Sequence, residues 1–212
     1  MRKCLSTAMT LIMLFSLLPA CGQQSRTADY TIFTESTIVD ASGSSSFVIV
    51  DASGSSSFVI KADGNLWAWG THGIYLGNSM GTISYAPVMV MENVVAVSAG
   101  SARMAIRSDG SLYAWGNNRW GQVGDGTTTS RQEPVKIMDE VVSVSAGSSH
   151  TMAIRADGSL WAWGHNSNGQ LGNGTTIGRL TPSRVMDGIA AVSAGTDFTM
   201  AIRVDGSLWA CA

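Results

Sequence analysis

With 45% hydrophobic and only 13% charged residues, this 212-residue chain is too apolar and too sparsely charged to be disordered. Its formal net charge of −2 and the lack of a basic stripe exclude nucleic acid as a partner. Glycine is frequent (24) and proline scarce (4), which together with recurring Val, Ile and Trp predicts many short strands joined by tight turns.

The chain opens with a short basic region, Arg2 and Lys3, and then an apolar run from Ala8 to Leu18. That run is well short of the roughly 20 residues a membrane-spanning helix needs, so residues 1–20 read as an export signal peptide. Leu18-Pro19-Ala20-Cys21 resembles the bacterial lipoprotein box. The resemblance implies cleavage before Cys21, diacylglycerol on its thiol and acylation of its new amine. Several acyl chains hold a protein at a membrane where one does not. Localisation would then be the cell envelope: the outer membrane in a Gram-negative host, since Gly22 and not Asp follows the cysteine, and otherwise the outer face of the plasma membrane. Without Arg2 and Lys3, 11 basic residues face 15 acidic ones, a formal charge of −4. Cys4 leaves with the signal and Cys21 is modified. Cys211 is then the one free thiol, and no intrachain disulfide framework is possible. Residues 21–38 form the tether, of which GQQSRTAD (22–29) is the most linker-like part.

Residues 39–60 read VDASGSSSFVI twice without a break. Six of each eleven residues are Ser, Gly or Asp, the composition of a linker. Each copy nevertheless ends Phe-Val-Ile, which a solvated linker does not need. The rest of the chain explains why. Asp-Gly recurs at 63–64, 109–110, 157–158 and 205–206, inside KADGNLWAWG (61–70), RSDGSLYAWG (107–116), RADGSLWAWG (155–164) and RVDGSLWACA (203–212). VSAG stands upstream at 97–100, 144–147 and 192–195, and Pro87, Pro134 and Pro182 mark one phase of the cycle. Features sharing a register at 47–48 residues define a repeat, with units near 50–96, 97–143, 144–191 and 192–212.

Each cycle predicts four short strands. In the third they are PVKIM (134–138) first, VVSVS (141–145) second, TMAIR (151–155) third and LWAWG (160–164) fourth. The last two join through an Asp-Gly hairpin turn. The period of two puts Trp161 and Trp163 on one face and Leu160 and Ala162 on the other. A unit of this size cannot cover both faces alone and has to stack on its neighbours. Laid over VSAGSSHTMAI (144–154), the second copy VDASGSSSFVI (50–60) aligns without a gap: Val50 on Val144, Ala52 on Ala146, Phe58 on Met152, Ile60 on Ile154. The serine-rich stretch is thus the second-to-third-strand segment of a degenerate repeat and not a linker.

VSAGSSHTMAIRADGSLWAWGHNSNGQLGNGTT (144–176) is similar to the regulator of chromosome condensation repeat. The Ala-Gly-x-x-His core at 146–150, the Asp-Gly hairpin, Trp163-Gly164 and the GQLGNGT loop at 169–175 carry the resemblance. It extends over residues 50–212 and is weakest in the first repeat, where THGIYLGNSMGT (71–82) replaces the loop. It implies an all-β fold of β-propeller blades, each a four-stranded antiparallel sheet, over 39–212. Members with seven repeats form seven-bladed propellers. The residues from 50 onward supply about three and a third cycles, so an incomplete arc of three to four blades is expected. The ending SLWACA, with Cys211 where Trp163 stands, suggests a truncated reading frame or a natural short form. Open blade faces would drive self-association, a closed dimer of about seven blade-equivalents being the orderly outcome.

Candidates for chemistry are few. Of His72, His150 and His165 only His150 occupies a signature position, and hydrogen bonding within its own blade is the expectation for it. Four aspartates belong to the hairpin turns, where turn geometry explains them. GDGTTT (124–129) and GNGTT (172–176) lack the alternating carboxylates and terminal Glu of calcium loops, so polar turns and no metal are expected. No Gly-Lys-Ser/Thr phosphate loop occurs, and no cofactor is expected. Six of the seven tryptophans recur at the repeat period, which predicts core. Trp120 does not, its counterpart in the next repeat being Asn168, and it is the candidate partner contact.

The expected function is an exported, lipid-anchored propeller module that binds a protein partner and catalyses nothing. The alternatives are an inhibitor of secreted enzymes, of the propeller type that blocks β-lactamases, and a surface hydrolase with its site in the central channel. Nuclear members of the family act as nucleotide exchange factors for a small GTPase and bind chromatin; that analogy rests on fold alone.

Overall fold

The computed structural model describes residues 46–53, 56–70, 75–78 and 83–212, together with two-residue strands at 11–12, 31–32 and 38–39. Strands β1 (Leu11–Ile12) and β2 (Thr31–Ile32) pair with each other. The rest of residues 1–20, the segment expected to be a signal peptide, together with Cys21, the stretch 22–29 and His72, lies outside the described residues.

From residue 38 onward the strands form four antiparallel sheets. The first contains β3 (Ile38–Val39), β4 (Ser46–Ser53), β5 (Ser56–Lys61), β6 (Leu66–Gly70) and β7 (Ser84–Met91). The second contains β8 (Val94–Ala99), β9 (Ala102–Arg107), β10 (Leu112–Gly116) and β11 (Arg131–Met138). The third contains β12 (Val141–Ala146), β13 (His150–Arg155), β14 (Leu160–Gly164) and β15 (Arg179–Met186). The fourth contains β16 (Ile189–Ala194), β17 (Thr199–Arg203) and β18 (Leu208–Cys211). Within every sheet the strands lie in chain order.

One expectation is corrected. The strand PVKIM does not open the sheet that contains VVSVS. It lies in β11, the last strand of the preceding sheet, with Ala114 opposite Val135 and Leu112 opposite Met138. The two-residue link Asp139–Glu140 carries the chain from one blade to the next, and Glu140 takes a left-handed φ of 63° to do so.

The duplicated segment behaves as its alignment implies. Strand β4 runs across the junction of the two copies. It pairs Val50 with Val59, Asp51 with Phe58 and Ala52 with Ser57, the register in which Val144 meets Ala153, Ser145 meets Met152 and Ala146 meets Thr151. Both copies therefore contribute to one strand.

Each Asp-Gly turn has the same construction. The Asp carboxylate accepts from the backbone N–H two residues on at 2.9 Å, as in Asp157 with Ser159 and Asp205 with Ser207. The glycine is left-handed, with φ of 77° at Gly158. The loop has four residues rather than two, closed by Gly158 N–H donating to the Arg155 carbonyl. Each turn then docks on the next blade: Val94, Val141 and Ile189 donate to the carbonyls of Gly64, Gly110 and Gly158 at 2.8–3.0 Å.

The blades stack with two unlike faces in contact. From blade two come Met104, Ile106, Leu112 and Ala114, which pack on Ala153 and Trp163 of blade three. Phe58, Ile60, Leu66 and Ala68 meet Ala105 and Trp115 in the same way, and Met152, Ile154, Leu160 and Ala162 meet Ile189 and Ala201. The strand period of two thus assigns aliphatic residues to the leading face and the tryptophans to the trailing face. Trp115 and Trp163 are fully buried. Trp67, Trp69 and Trp161 are half-buried and Trp209 is exposed, against the expectation that all six periodic tryptophans are core. Trp67 and Trp161 lie beneath Lys61 and Arg155, 4.0 and 5.7 Å from the ring centroids.

A second seam joins the first strands of successive sheets. Ala146 donates to Ser98 Oγ at 3.1 Å and Ala194 to Ser145 Oγ at 2.9 Å. In the degenerate first blade Asp51 takes the serine's place and accepts from Ala99 at 2.7 Å. Burial raises the pKa of that carboxyl despite the hydrogen bonds it accepts.

Candidate interaction surface

The long loops between the third and fourth strands, 117–130 and 165–178, rise on one rim of the stack. Each is built round a buried asparagine. Asn118 Nδ2 donates to Asp125, Thr127 and the Thr129 carbonyl, while its Oδ1 accepts from Val123 N–H. Asn166, 48 positions on, donates to Asn173 and the carbonyls of Thr175 and Ile177 and accepts from Leu171 N–H. Asp125 also pairs with Arg131 at 2.5 Å. Burial works against ionisation of Asp125, but the hydrogen bonds from Thr127 and Arg131 outweigh it and hold its pKa below the ordinary carboxyl value. The carboxylate is thereby committed to the loop itself. Among the described residues no three His, Cys, Asp or Glu side chains are grouped to hold a metal ion.

The loops also latch the blades. Trp163 Nε1 and Thr151 Oγ1 both donate to the Gln122 carbonyl at 2.9 Å. Trp115 Nε1 donates to the Tyr75 carbonyl at 3.0 Å, although the first loop is degenerate. Gly124 has φ +89°, and a Cβ there would lie 2.6 Å from Trp163 Nε1, so the indole needs a glycine beneath it.

On this framework stands Trp120, 45% exposed. Its N–H donates to Gln122 Oε1 at 2.8 Å, and the buried Gln122 amide is fixed in turn by Ser101 Oγ. The indole packs against His165 of the next blade, with ring centroids 4.4 Å apart and planes tilted by 50°. Gln170 Nε2 donates to His165 Nδ1 at 3.1 Å, and the Arg119 guanidinium lies 5.4 Å from the Trp120 ring centroid. Leu180 closes one side of a surface cavity of about 360 Å³ lined by these groups. Its lining has π-faces, a guanidinium and hydroxyls, and no carboxylate. The sequence singled out Trp120; it did not reveal His165, Arg119 or Leu180, which come from other turns of the repeat or carry no periodic signal.

His150 is fully buried, but it does not bond within its own blade as expected. Its Nε2 meets Thr199 Oγ1 of the next blade at 2.8 Å. Thr199 Oγ1 donates to the Gln170 carbonyl at 2.8 Å, so its lone pair receives the His150 Nε2 proton, and the ring is the Nε2–H tautomer. Burial pushes its pKa down to about 4. The equivalent residue in the second repeat is Ala102, since both stand opposite the glycine that ends the third strand.

At the opposite pole of interest, a mouth of about 370 Å³ gathers Ala99–Ser101, Ala146–Ser148 and Ala194–Thr196 from three blades. None of those residues titrates.

Radially stacked four-stranded sheets in chain order, latched by loops on one rim, define a β-propeller architecture. The comparisons refine that class. The family described as "Regulator of chromosome condensation (RCC1) repeat" matches at residues 109–154 and 157–202, and a second RCC1 repeat family matches at 141–170. The resemblance read from the repeat motif is thereby shown over residues 109–202, from the second blade into the fourth. Among solved structures, human WBSCR16 superposes with a TM-score of 0.69 at 19% identity, covering 86% of this chain and 50% of that one. Yeast RCC1 (Prp20) bound to Kap60 superposes at 0.66 and 20% identity, covering 79% of this chain and 44% of that one. Prp20p from Saccharomyces cerevisiae, described with its binding to Gsp1p and histones, gives 0.66 at 20% identity, covering 77% and 44%. These likenesses show the fold. The chain spans half or less of the length of these structures. No curated protein matches the sequence.

Proposed function

We propose that this chain is an exported, lipid-anchored, non-catalytic propeller module that binds a protein partner through the rim around Trp120. The observation that carries the reading is the exposed Trp120 held against His165 and Arg119 by two buried glutamines. Exposed aromatics and arginine on a rigid frame are the residue types that dominate protein-binding energetics. The cluster lacks carboxylates and so favours an acidic or aromatic partner surface. Anchoring through Cys21 rests on the lipoprotein-box motif.

The test is a paired capture from cell-envelope extracts with the intact chain and with Trp120→Ala/His165→Ala, using residues 21–38 alone as the control. Loss of one specific partner in the double variant, with an unchanged melting temperature, is the expected result. Equal capture by both proteins would remove this rim from consideration. In the same cells Cys21→Ala should accumulate as precursor and take up no fatty-acid label; normal processing of that variant would dismiss the anchor.

A further inference from the structure

Three trailing faces carry an aromatic ring at one position, Trp69, Trp115 and Trp163 in the first three blades, and the last two pack on the blade before them. In the fourth the residue is Cys211, opposite Thr199 as Trp163 is opposite Thr151. Everything else that receives an indole there is retained. The loop glycine is Gly172, left-handed at φ +66°, and a Cβ on it would meet Cys211 Sγ at 2.9 Å. Gly124 stands in the same relation to the Trp163 ring. The Gln170 carbonyl still accepts from Thr199 Oγ1, as Gln122 accepts from Thr151. Its second donor, an indole N–H at 2.9 Å in the blade before, is replaced by the Cys211 thiol at 3.6 Å.

What remains is a partly open cavity of about 220 Å³ between the third and fourth blades. Met152, Leu160, Leu171, Val185 and Ala201 supply apolar walls, with Gly172 and Cys211 at one end. Apolar protein cavities of about 150 Å³ are known to stay dry and take up benzene, so this one has room for a fused bicyclic ring.

We propose that this cavity is a binding site for small indoles, the ring lying between the blades at the Gly172 and Cys211 end and its N–H displacing the Cys211 thiol from the Gln170 carbonyl just behind the wall. Two buried copies of the arrangement in the same molecule, at Trp115 and Trp163, supply the template. The ring's apolar faces match the walls, and its single donor matches the second acceptor position of the Gln170 carbonyl, which holds only the Cys211 thiol at 3.6 Å. The walls that face the ring are mainly apolar, Thr199 being the hydroxyl residue among them.

Calorimetric titration of the full chain tests this with indole, 1-methylindole and N-acetyltryptophanamide. Saturable 1:1 binding of indole is expected, with 1-methylindole about tenfold weaker because it lacks the N–H. Cys211→Trp should fill the cavity, abolish indole binding and raise the melting temperature; Cys211→Ala should keep the binding, since it removes only the weak donor that the indole displaces. Tighter binding of N-acetyltryptophanamide than of indole would assign the same ring site to a peptide-borne tryptophan. No saturable binding to the parent chain, or undiminished binding to a folded Cys211→Trp, would overturn the proposal. Equal affinity for 1-methylindole would remove the role of the Gln170 carbonyl.

Discussion

His150 shows how one side chain ties a blade to its neighbour at a pH-dependent cost. Its folded pKa of about 4 lies below the ordinary 6.5. Below pH 6.5 the unfolded chain therefore takes up a proton that the folded chain refuses. The stability is fully present above pH 6.5 and is lost as pH falls toward 4, by about 3 kcal/mol in all. Asp51 acts in the other direction, because its folded pKa is raised: over the window just above the ordinary carboxyl pKa, stability falls as pH rises. Subtracting a His150→Ser variant separates the two. Serine occupies the matching place at Ser56, opposite Gly70. In the parent chain the His150 ring signals should not titrate by NMR above pH 5, and the melting temperature should drop between pH 6.5 and 4 more steeply than in His150→Ser. Identical slopes would assign the pH response elsewhere.

At the scale of strand and loop, the latch makes a separable prediction. Gly124 and Gly174 are both left-handed, with φ of +89° and +73°. A methyl group at Gly174 meets nothing within 4 Å, whereas at Gly124 it meets the Trp163 ring. Alanine pays backbone strain of about 1–2 kcal/mol at either position; only Gly124→Ala also displaces the indole. Urea unfolding should show the larger loss for Gly124→Ala, and equal losses would mean that the loop yields without disturbing the latch. These elements also mark what the sequence could disclose. Asp157-Gly158 and the alternation in LWAWG announce the hairpin and the two faces, because their signals are local. The place of PVKIM was misread because a two-residue link, Asp139–Glu140, looks like a hairpin turn. Its true partner, LYAWG, lies across a fourteen-residue loop, 117–130, that is closed by the Asn118 network and the Asp125–Arg131 pair. Asn118 itself resembles any loop asparagine until the loop's carbonyls converge on it. Trp120 was legible as a break in the repeat. His165 was not, since its contact crosses between blades.

For the molecule as a whole, the leading face of the fourth blade matters most. Phe198, Met200, Ile202 and Leu208 occupy the positions of buried residues in blade three, yet are 38–60% exposed. An apolar face of this kind drives association. Sedimentation of the 212-residue chain should therefore reveal species above the monomer, and Met200→Lys/Ile202→Lys should return it to a monomer. A parent chain that sediments as a monomer at all concentrations would count against association through this face.

The unlike faces of each blade also restrict the symmetry such species can have. The face that carries the Met, Ile and Leu side chains always meets the opposite, trailing face of the next blade, so the contact has a polarity, like a plug and its socket. Two copies cannot join it plug to plug. Any assembly that reuses this contact must run in one rotational sense, either closing into a cyclic ring or continuing without end as a filament.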